Sequence, residues 1–72
     1  GIPCPEGEFC ELPPGTCDSA DLEGMCVEVP VLCRFLYAPV CGCDGRTYGN
    51  DCARRAAQVS LAHPGECVAG RR

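Results

Sequence analysis

Nine cysteines in 72 residues, at positions 4, 10, 17, 26, 33, 41, 43, 52 and 67, constrain this chain more than any other feature. That density marks a disulfide scaffold in a short chain. The alternative use of so many thiols is metal, whose paired ligands usually come as C-x2-C to C-x4-C. Here the intervening lengths are x5, x6, x8, x6, x7, x1, x8 and x14, and the single histidine is His63. None of these spacings is a zinc knuckle. The cysteines are therefore expected in disulfides, in a secreted protein or another oxidising extracytoplasmic compartment, with no metal and no cofactor. A globule of this size buries only about 60% of the surface its unfolded chain exposes, so crosslinks must supply what a core cannot. Because nine is odd, one thiol is free, pairs between chains, or has its partner upstream of Gly1.

The residues exclude several function classes. No apolar run is long enough to span a membrane, and the absence of a leader at Gly1 is the expectation for a mature or trimmed form. A net charge of −4 with no lysine argues against nucleic acid. No Gly-rich phosphate loop or H-E-x-x-H is present, and Ser19 and Ser60 lack a G-x-S-x-G context. One histidine and so small an interior leave little room for a catalytic set. An enzyme is not expected.

Charge divides the chain. Residues 1–33 carry Glu6, Glu8, Glu11, Asp18, Asp21, Glu23 and Glu28 and no base, whereas residues 34–72 hold all six arginines against Asp44, Asp51 and Glu66. Opposite charge should draw the halves together, although acids on a small secreted surface also serve solubility. Arg54, Arg55, Arg71 and Arg72 are candidates for a local basic patch. The acidic half is rich in turn formers and reads as an irregular cysteine-stapled ribbon over residues 1–32, with short strands such as Gly24–Val29. Residues 33–67 read as a second module and 68–72 as a tail.

In the second module, Val40 to Cys43 and Arg46 to Tyr48 flank Asp44-Gly45, a dipeptide suited to the φ > 0 positions of a hairpin turn. Gly42, Gly45 and Gly49 are expected to serve backbone freedom. Asp51 is placed to cap a helix over Cys52–Val59, with Cys52, Ala56 and Val59 on the face that meets the hairpin. So short a helix does not survive alone, so the Cys52 crosslink must hold it. Ala62-His63-Pro64-Gly65 reads as a surface turn leading back to Cys67.

The run from Cys33 to Cys52, with Cys67 beyond, resembles the Kazal-type serine protease inhibitors. Their pattern is C-x7-C-x10-C, with Tyr-x-Pro-Val before the middle cysteine and C-G-x-D-G-x-T-Y-x-N-x-C after it. Tyr37, Pro39, Val40, Gly42, Asp44, Gly45, Thr47, Tyr48 and Asn50 all stand at the matching offsets. Residues 1–32 resemble, more loosely, the ribbon that precedes the Kazal part of follistatin-type domains. The resemblance implies a small disulfide-rich α+β fold: a short β-hairpin plus one short helix, with an irregular N-terminal ribbon. It also implies Cys33–Cys52 and Cys41–Cys67 bridges. The family's fifth cysteine would fall where this chain has Arg55, and Cys43 is extra. Either a displaced Cys26–Cys43 bridge forms, or Cys4–Cys17 and Cys10–Cys26 close the ribbon and leave Cys43 alone.

The implied activity is reversible, substrate-like inhibition of a serine protease by a loop of Cys33, Arg34, Phe35, Leu36, Tyr37, Ala38 and Pro39. Phe35 would fill the primary specificity pocket, which makes Phe35–Leu36 the reactive bond and favours chymotrypsin-like or subtilisin-like enzymes. Asn50 would lie beneath the loop and donate to carbonyls on both sides of that bond. Tyr37 and Tyr48 are expected to pack against the hairpin. Arg34 and Leu36 depart from common family choices, often threonine and an acid. The competing readings are a non-inhibitory follistatin-like binding module and a structural spacer within a larger secreted protein. A monomer is expected unless the odd cysteine joins two chains.

Overall fold

Phe9 is where the ribbon acquires an inside. In a computed structural model, which describes residues 4–17 and 23–68, it is one of two buried apolar residues, the other being Cys41. Phe9 lies on β1 (Glu8–Glu11), which pairs antiparallel with β2 (Met25–Glu28) in the register Glu8↔Glu28, Phe9↔Val27, Cys10↔Cys26 and Glu11↔Met25. Side chains alternate across a strand, and burial follows: Phe9 is buried between exposed Glu8 and exposed Cys10. The strand expected over Gly24–Val29 is therefore present as β2, and its partner is β1. Asp18, Ser19, Asp21, Arg71 and Arg72 lie outside the described residues.

The second sheet is β3 (Val40–Gly42), β4 (Thr47–Tyr48) and β5 (Leu61–Pro64), in the spatial order β4-β3-β5, all antiparallel. The hairpin joining β3 to β4 is not a two-residue turn on Asp44-Gly45. Gly45 N–H donates to Gly42 O at 2.9 Å, and only Gly45, at φ +81°, is left-handed. That is a one-turn loop closed by glycine at its last position. The Asp44 carboxylate locks it, accepting from Arg46 N–H at 3.1 Å and from the Tyr48 hydroxyl at 2.6 Å.

Gly42 has a different reason from the one the sequence suggests. Its φ is ordinary, but a Cβ there would stand 2.8 Å from Val59 Cγ1 and 2.9 Å from Tyr48 Cε2. Space, not backbone freedom, demands glycine. The stretch that reads as a turn, Ala62-His63-Pro64, is instead part of β5. Proline is the misleading residue. At the end of an edge strand its missing N–H costs no ladder bond, and the reversal comes one residue later at Gly65, with φ +82°. His63 accordingly lies on a strand, partly buried opposite Cys41.

The helix α1 runs over Asp51–Ala56, shorter than the expected Cys52–Val59. Its N-cap is Asn50, not Asp51: the Asn50 Oδ1 accepts from Ala53 N–H at 2.8 Å. At the other end Gln58 sits at φ +60°. Gln58 N–H donates to Arg55 O at 2.9 Å and Val59 N–H to Arg54 O at 3.3 Å. This bond pair is a Schellman stop with glutamine in the usual glycine place. Val59 thus falls in the stop rather than on the helix, and Ala56 is exposed. The docking face expected from Cys52, Ala56 and Val59 does not form. The one buried residue of α1 is Arg54.

Four disulfides tie these pieces: Cys4–Cys26, Cys17–Cys43, Cys33–Cys52 and Cys41–Cys67. Neither ribbon pairing expected from the sequence occurs. Cys26 takes Cys4 rather than Cys43 or Cys10, and Cys43 reaches back to Cys17. Cys10 is the free thiol and is exposed. Cys10 and Cys26 are partners across the β1–β2 ladder, yet the Cys26 sulfur is taken by Cys4. The molecule measures about 34 × 30 × 12 Å. Among the described residues only Phe9 and Cys41 are buried apolar residues, so the interior is too small to hold the fold by itself. Crosslinks carry the stability, each contributing about 3–4 kcal/mol for loops of this size in the chain-entropy treatment.

Candidate functional site

Between Cys33 and β3 the chain makes no regular structure, yet it is fixed at both ends. Cys33–Cys52 pins it to α1, and Cys41–Cys67 pins β3 to the segment beyond β5. Pro39 locks φ near −65° and biases Ala38 toward an extended shape. Ala38 N–H then donates to Gly49 O at 2.8 Å. Within these anchors Phe35 stands wholly in solvent, at 110% relative exposure, more open than in an extended reference peptide. Leu36 and Tyr37 are also exposed. A large apolar side chain left in water without local cover marks an interaction surface when it sits in a contiguous patch.

Asn50 makes the site specific. Its Nδ2 donates to Arg34 O at 3.1 Å and to Leu36 O at 2.7 Å, the two carbonyls that flank Phe35–Leu36. The same side chain caps α1 through Oδ1. Cap and spacer look like alternatives from the sequence; one amide performs both. The loop's shape is therefore set by the helix's first turn, and that turn by Cys52.

Tyr37 does not pack into the hairpin. Its ring stays largely exposed, its edge lies against Gly49, and its hydroxyl donates to Glu66 Oε2 at 3.0 Å. That hydrogen bond, with a small contribution from lost hydration and from the Glu66 charge, raises the Tyr37 pKa above its ordinary value. Tyr48 is raised in the same way by its hydrogen bond to Asp44. Partial loss of hydration opposes the charged form of Asp44. The Tyr48 hydroxyl and the Arg46 N–H outweigh it and hold that carboxyl below its usual range.

Two features are not foreseen from the sequence. Val31 and Leu32, just before Cys33, are almost fully exposed and extend the apolar surface upstream of the loop. Their signal is an apolar pair between Pro30 and Cys33 in an otherwise acidic half. The second is Arg54, expected in a basic patch but 1% exposed and bound to Glu11 Oε2 at 3.1 Å and Asp51 Oδ1 at 2.8 Å. Arg55 pairs with Asp51 at 3.2 Å. With Arg54 internal and Arg71 and Arg72 outside the described residues, no four-arginine patch is described. Among the described residues no group of His, Cys, Asp and Glu is arranged to hold a metal ion.

An exposed, crosslinked loop held convex from beneath is the architecture that the Cys33–Cys52 motif implies. Comparison with known proteins agrees. The family model of the Kazal-type serine protease inhibitor domain matches residues 10–67, and the chain belongs to that family, whose members are inhibitors rather than enzymes. Human serine protease inhibitor Kazal-type 6 is 44% identical over 43 residues, covering 51% of this chain and 54% of its own. Ovomucoid from Geococcyx californianus is 40% identical over 42 residues, covering 50% of this chain and 78% of the relative. Human Kazal-type serine protease inhibitor domain-containing protein 1 is 33% identical over 86 aligned residues, covering 90% of this chain but 28% of the relative. The chain thus spans from about a quarter to about three-fifths of the length of the first relatives it matches. No solved structure matches it.

Proposed function

We propose that this chain is a reversible, substrate-like inhibitor of serine endopeptidases, with Phe35–Leu36 as the reactive bond and chymotrypsin-like or subtilisin-like enzymes as targets. The observation that supports this best is the pair of Asn50 donors on the Arg34 and Leu36 carbonyls beneath a fully exposed Phe35. A free peptide loses roughly 1–2 kcal/mol of backbone entropy per residue when it is fixed in a cleft. A loop already held in shape avoids much of that loss and binds tighter for the same contact. The Phe35 ring gains about 1.5–3 kcal/mol in a deep apolar pocket. In a trypsin-like pocket it would leave the buried aspartate unpaired.

The same rigidity explains inhibition in place of digestion. After attack on the Phe35 carbonyl carbon, the Leu36 amine is the leaving group. Cys33–Cys52 holds the acyl side, Cys41–Cys67 holds the amine side, and Asn50 bridges them. The amine stays beside the acyl-enzyme, so re-formation of the bond competes with water. The partner is one protease molecule per monomeric chain, and the four disulfides fit a secreted protein. Residues 33–67 form the inhibitory module, with 1–32 as a ribbon and 68–72 as a tail.

Titration against chymotrypsin, subtilisin, elastase and trypsin tests the reading. We expect stoichiometric loss of chymotrypsin or subtilisin activity, with slow cleavage confined to Phe35–Leu36. Rapid digestion at several bonds, or no inhibition of any of the four, refutes it.

A further inference from the structure

The acidic ribbon touches the reactive-loop machinery at one buried point, and we propose that this contact is a brace. Glu11 on β1, acting through Arg54 on α1, positions Asn50 and thereby the inhibitory loop. This rests on the inhibitory reading above.

The helix is six residues long, and its only buried side chain is an arginine. A buried charge persists only when its hydrogen bonds are satisfied, and every guanidinium nitrogen of Arg54 has a partner. Its Nε donates to Asp51 Oδ1 at 2.8 Å, Nη1 donates to Val59 O at 2.6 Å and pairs with Glu11 Oε2 at 3.1 Å, and Nη2 pairs with Asp51 Oδ1 at 2.8 Å. Asp51, Arg54 and Val59 belong to the helix and its stop. Glu11 is the outsider, with its carboxylate only 16% exposed.

Other links between ribbon and inhibitory module go elsewhere: Cys17 to Cys43 in the hairpin, Leu12 N–H to Ser60 Oγ, and Gly15 N–H to Leu61 O. Among the described residues, no other ion pair and no other nitrogen or oxygen donor joins the ribbon to α1; the remaining contact is Cys52 Sγ against Leu32 O at 3.5 Å, beside the Cys33–Cys52 bridge. Asn50, the residue immediately before this helix, holds the loop. In the family pattern that the sequence resembles, the fifth cysteine pairs with the first, in the preceding segment, and its place is taken here by Arg55. The Glu11–Arg54 pair ties the preceding segment to the same turn, one residue earlier. An ionic clamp stands where a covalent one is missing.

Glu11→Gln tests this without removing a crosslink, and Glu28→Gln, on the exposed end of β2, is its control. We expect Glu11→Gln to weaken protease inhibition by roughly tenfold, within the usual range for coupling between separate sites. It should also speed cleavage of Phe35–Leu36, and Glu28→Gln should change neither. The readout that a merely stabilising role would not move is a double-mutant cycle with Asn50→Ser. If Glu11 acts through Asn50, its effect on inhibition is largely lost once Asn50 no longer holds the loop. Additive losses, or a Glu11→Gln protein that melts lower yet inhibits and is cleaved like wild type, overturn the brace. Amide exchange decides the case without a protease. Glu11→Gln should accelerate exchange at Ala53, whose N–H Asn50 accepts, while amides of the β1–β2 ladder stay as protected as before. Unchanged Ala53 exchange refutes the brace even if the wild type proves to inhibit nothing.

Discussion

Asn50 offers the sharpest test because its two roles can be separated by side-chain length. Its Oδ1 caps the helix at 2.8 Å from Ala53 N, while Nδ2 reaches the loop carbonyls at 3.1 and 2.7 Å. Serine is an equally good N-cap, but a hydroxyl on Cβ is too short to span to Arg34 and Leu36. Asn50→Ser should therefore keep the cap and release the loop, whereas Asn50→Ala loses both. The bridging bonds are worth about 0.5–1.5 kcal/mol each, and the low end of that range, about 0.5, suits carbonyls that water can reach once freed. Stability of the serine variant should fall by about 1 kcal/mol or less, or roughly 4–8 °C in melting temperature at most. Alanine should cost about a further 1 kcal/mol for the cap.

Inhibition should suffer more than stability in both variants, because the freed loop is reordered at every encounter. Recovering two bonds and the backbone order they imposed costs about 1–3 kcal/mol, roughly a 5- to 150-fold rise in the inhibition constant. The assay is a melting curve beside an inhibition constant and a digestion time course, with the protein oxidised throughout. If Asn50→Ser inhibits and is cleaved like wild type, the bonds under the loop do nothing in solution and the preorganisation argument fails. If serine and alanine melt together, the capping role fails instead.

Phe35→Arg should move inhibition from chymotrypsin-like toward trypsin-like enzymes, since the side chain is free of intramolecular packing; an unchanged profile means the reactive bond lies elsewhere. Non-reducing peptide mapping should recover Cys4–Cys26, Cys17–Cys43, Cys33–Cys52 and Cys41–Cys67, with only Cys10 alkylated before reduction. Gly42→Ala should destabilise by about 1–3 kcal/mol through overpacking against Val59 and Tyr48, read by denaturant midpoint; a neutral change would show that the hairpin can shift to make room. Both tyrosines should ionise above their ordinary value of about 10 in an ultraviolet titration. Since their folded pKa values are raised, the stabilisation they bring is complete below that pH and lost as pH rises through the folded values; Glu66→Gln should bring Tyr37 alone back down.

The most legible stretch of the sequence is the one in which local chemistry and spacing agree. From Cys33 to Cys52, the tyrosine–proline exit, the Asp-Gly turn and the asparagine stand at fixed offsets, and the fold follows from them. The rest is hidden for identifiable reasons. The partners of Cys4 and Cys17 depend on how the ribbon folds back, which no local pattern encodes. Pro64 and Gly65 speak for a turn, but an edge strand tolerates a terminal proline, so β5 is masked. The helix reads too long because three alanines argue for continuation, and glutamine at the left-handed stop carries no glycine signal.

Arg54 is hidden for a deeper reason. Arginine on a short helix reads as a solvated charge, because charged residues are almost never fully buried unless paired. The pairing is the missing information, and it comes from Glu11, forty-three positions earlier in a ribbon whose acidity equally suits solubility. With Phe9 and Cys41 the only buried apolar residues among those described, a helix finds little apolar interior against which to dock. A charged pair whose guanidinium nitrogens all have partners can hold the ribbon to the helix where a leucine would find too little cover. Charge asymmetry between the halves is thus a structural signal at one of the ribbon's five described acids, Glu11. The other acids leave β1 and β2 with like charges facing at Glu8 and Glu28, an arrangement that adds repulsion rather than hold. Among the described residues, the ribbon's polar and covalent grip on residues 33–67 therefore rests chiefly on Glu11, the Cys17–Cys43 bridge and two backbone N–H donors.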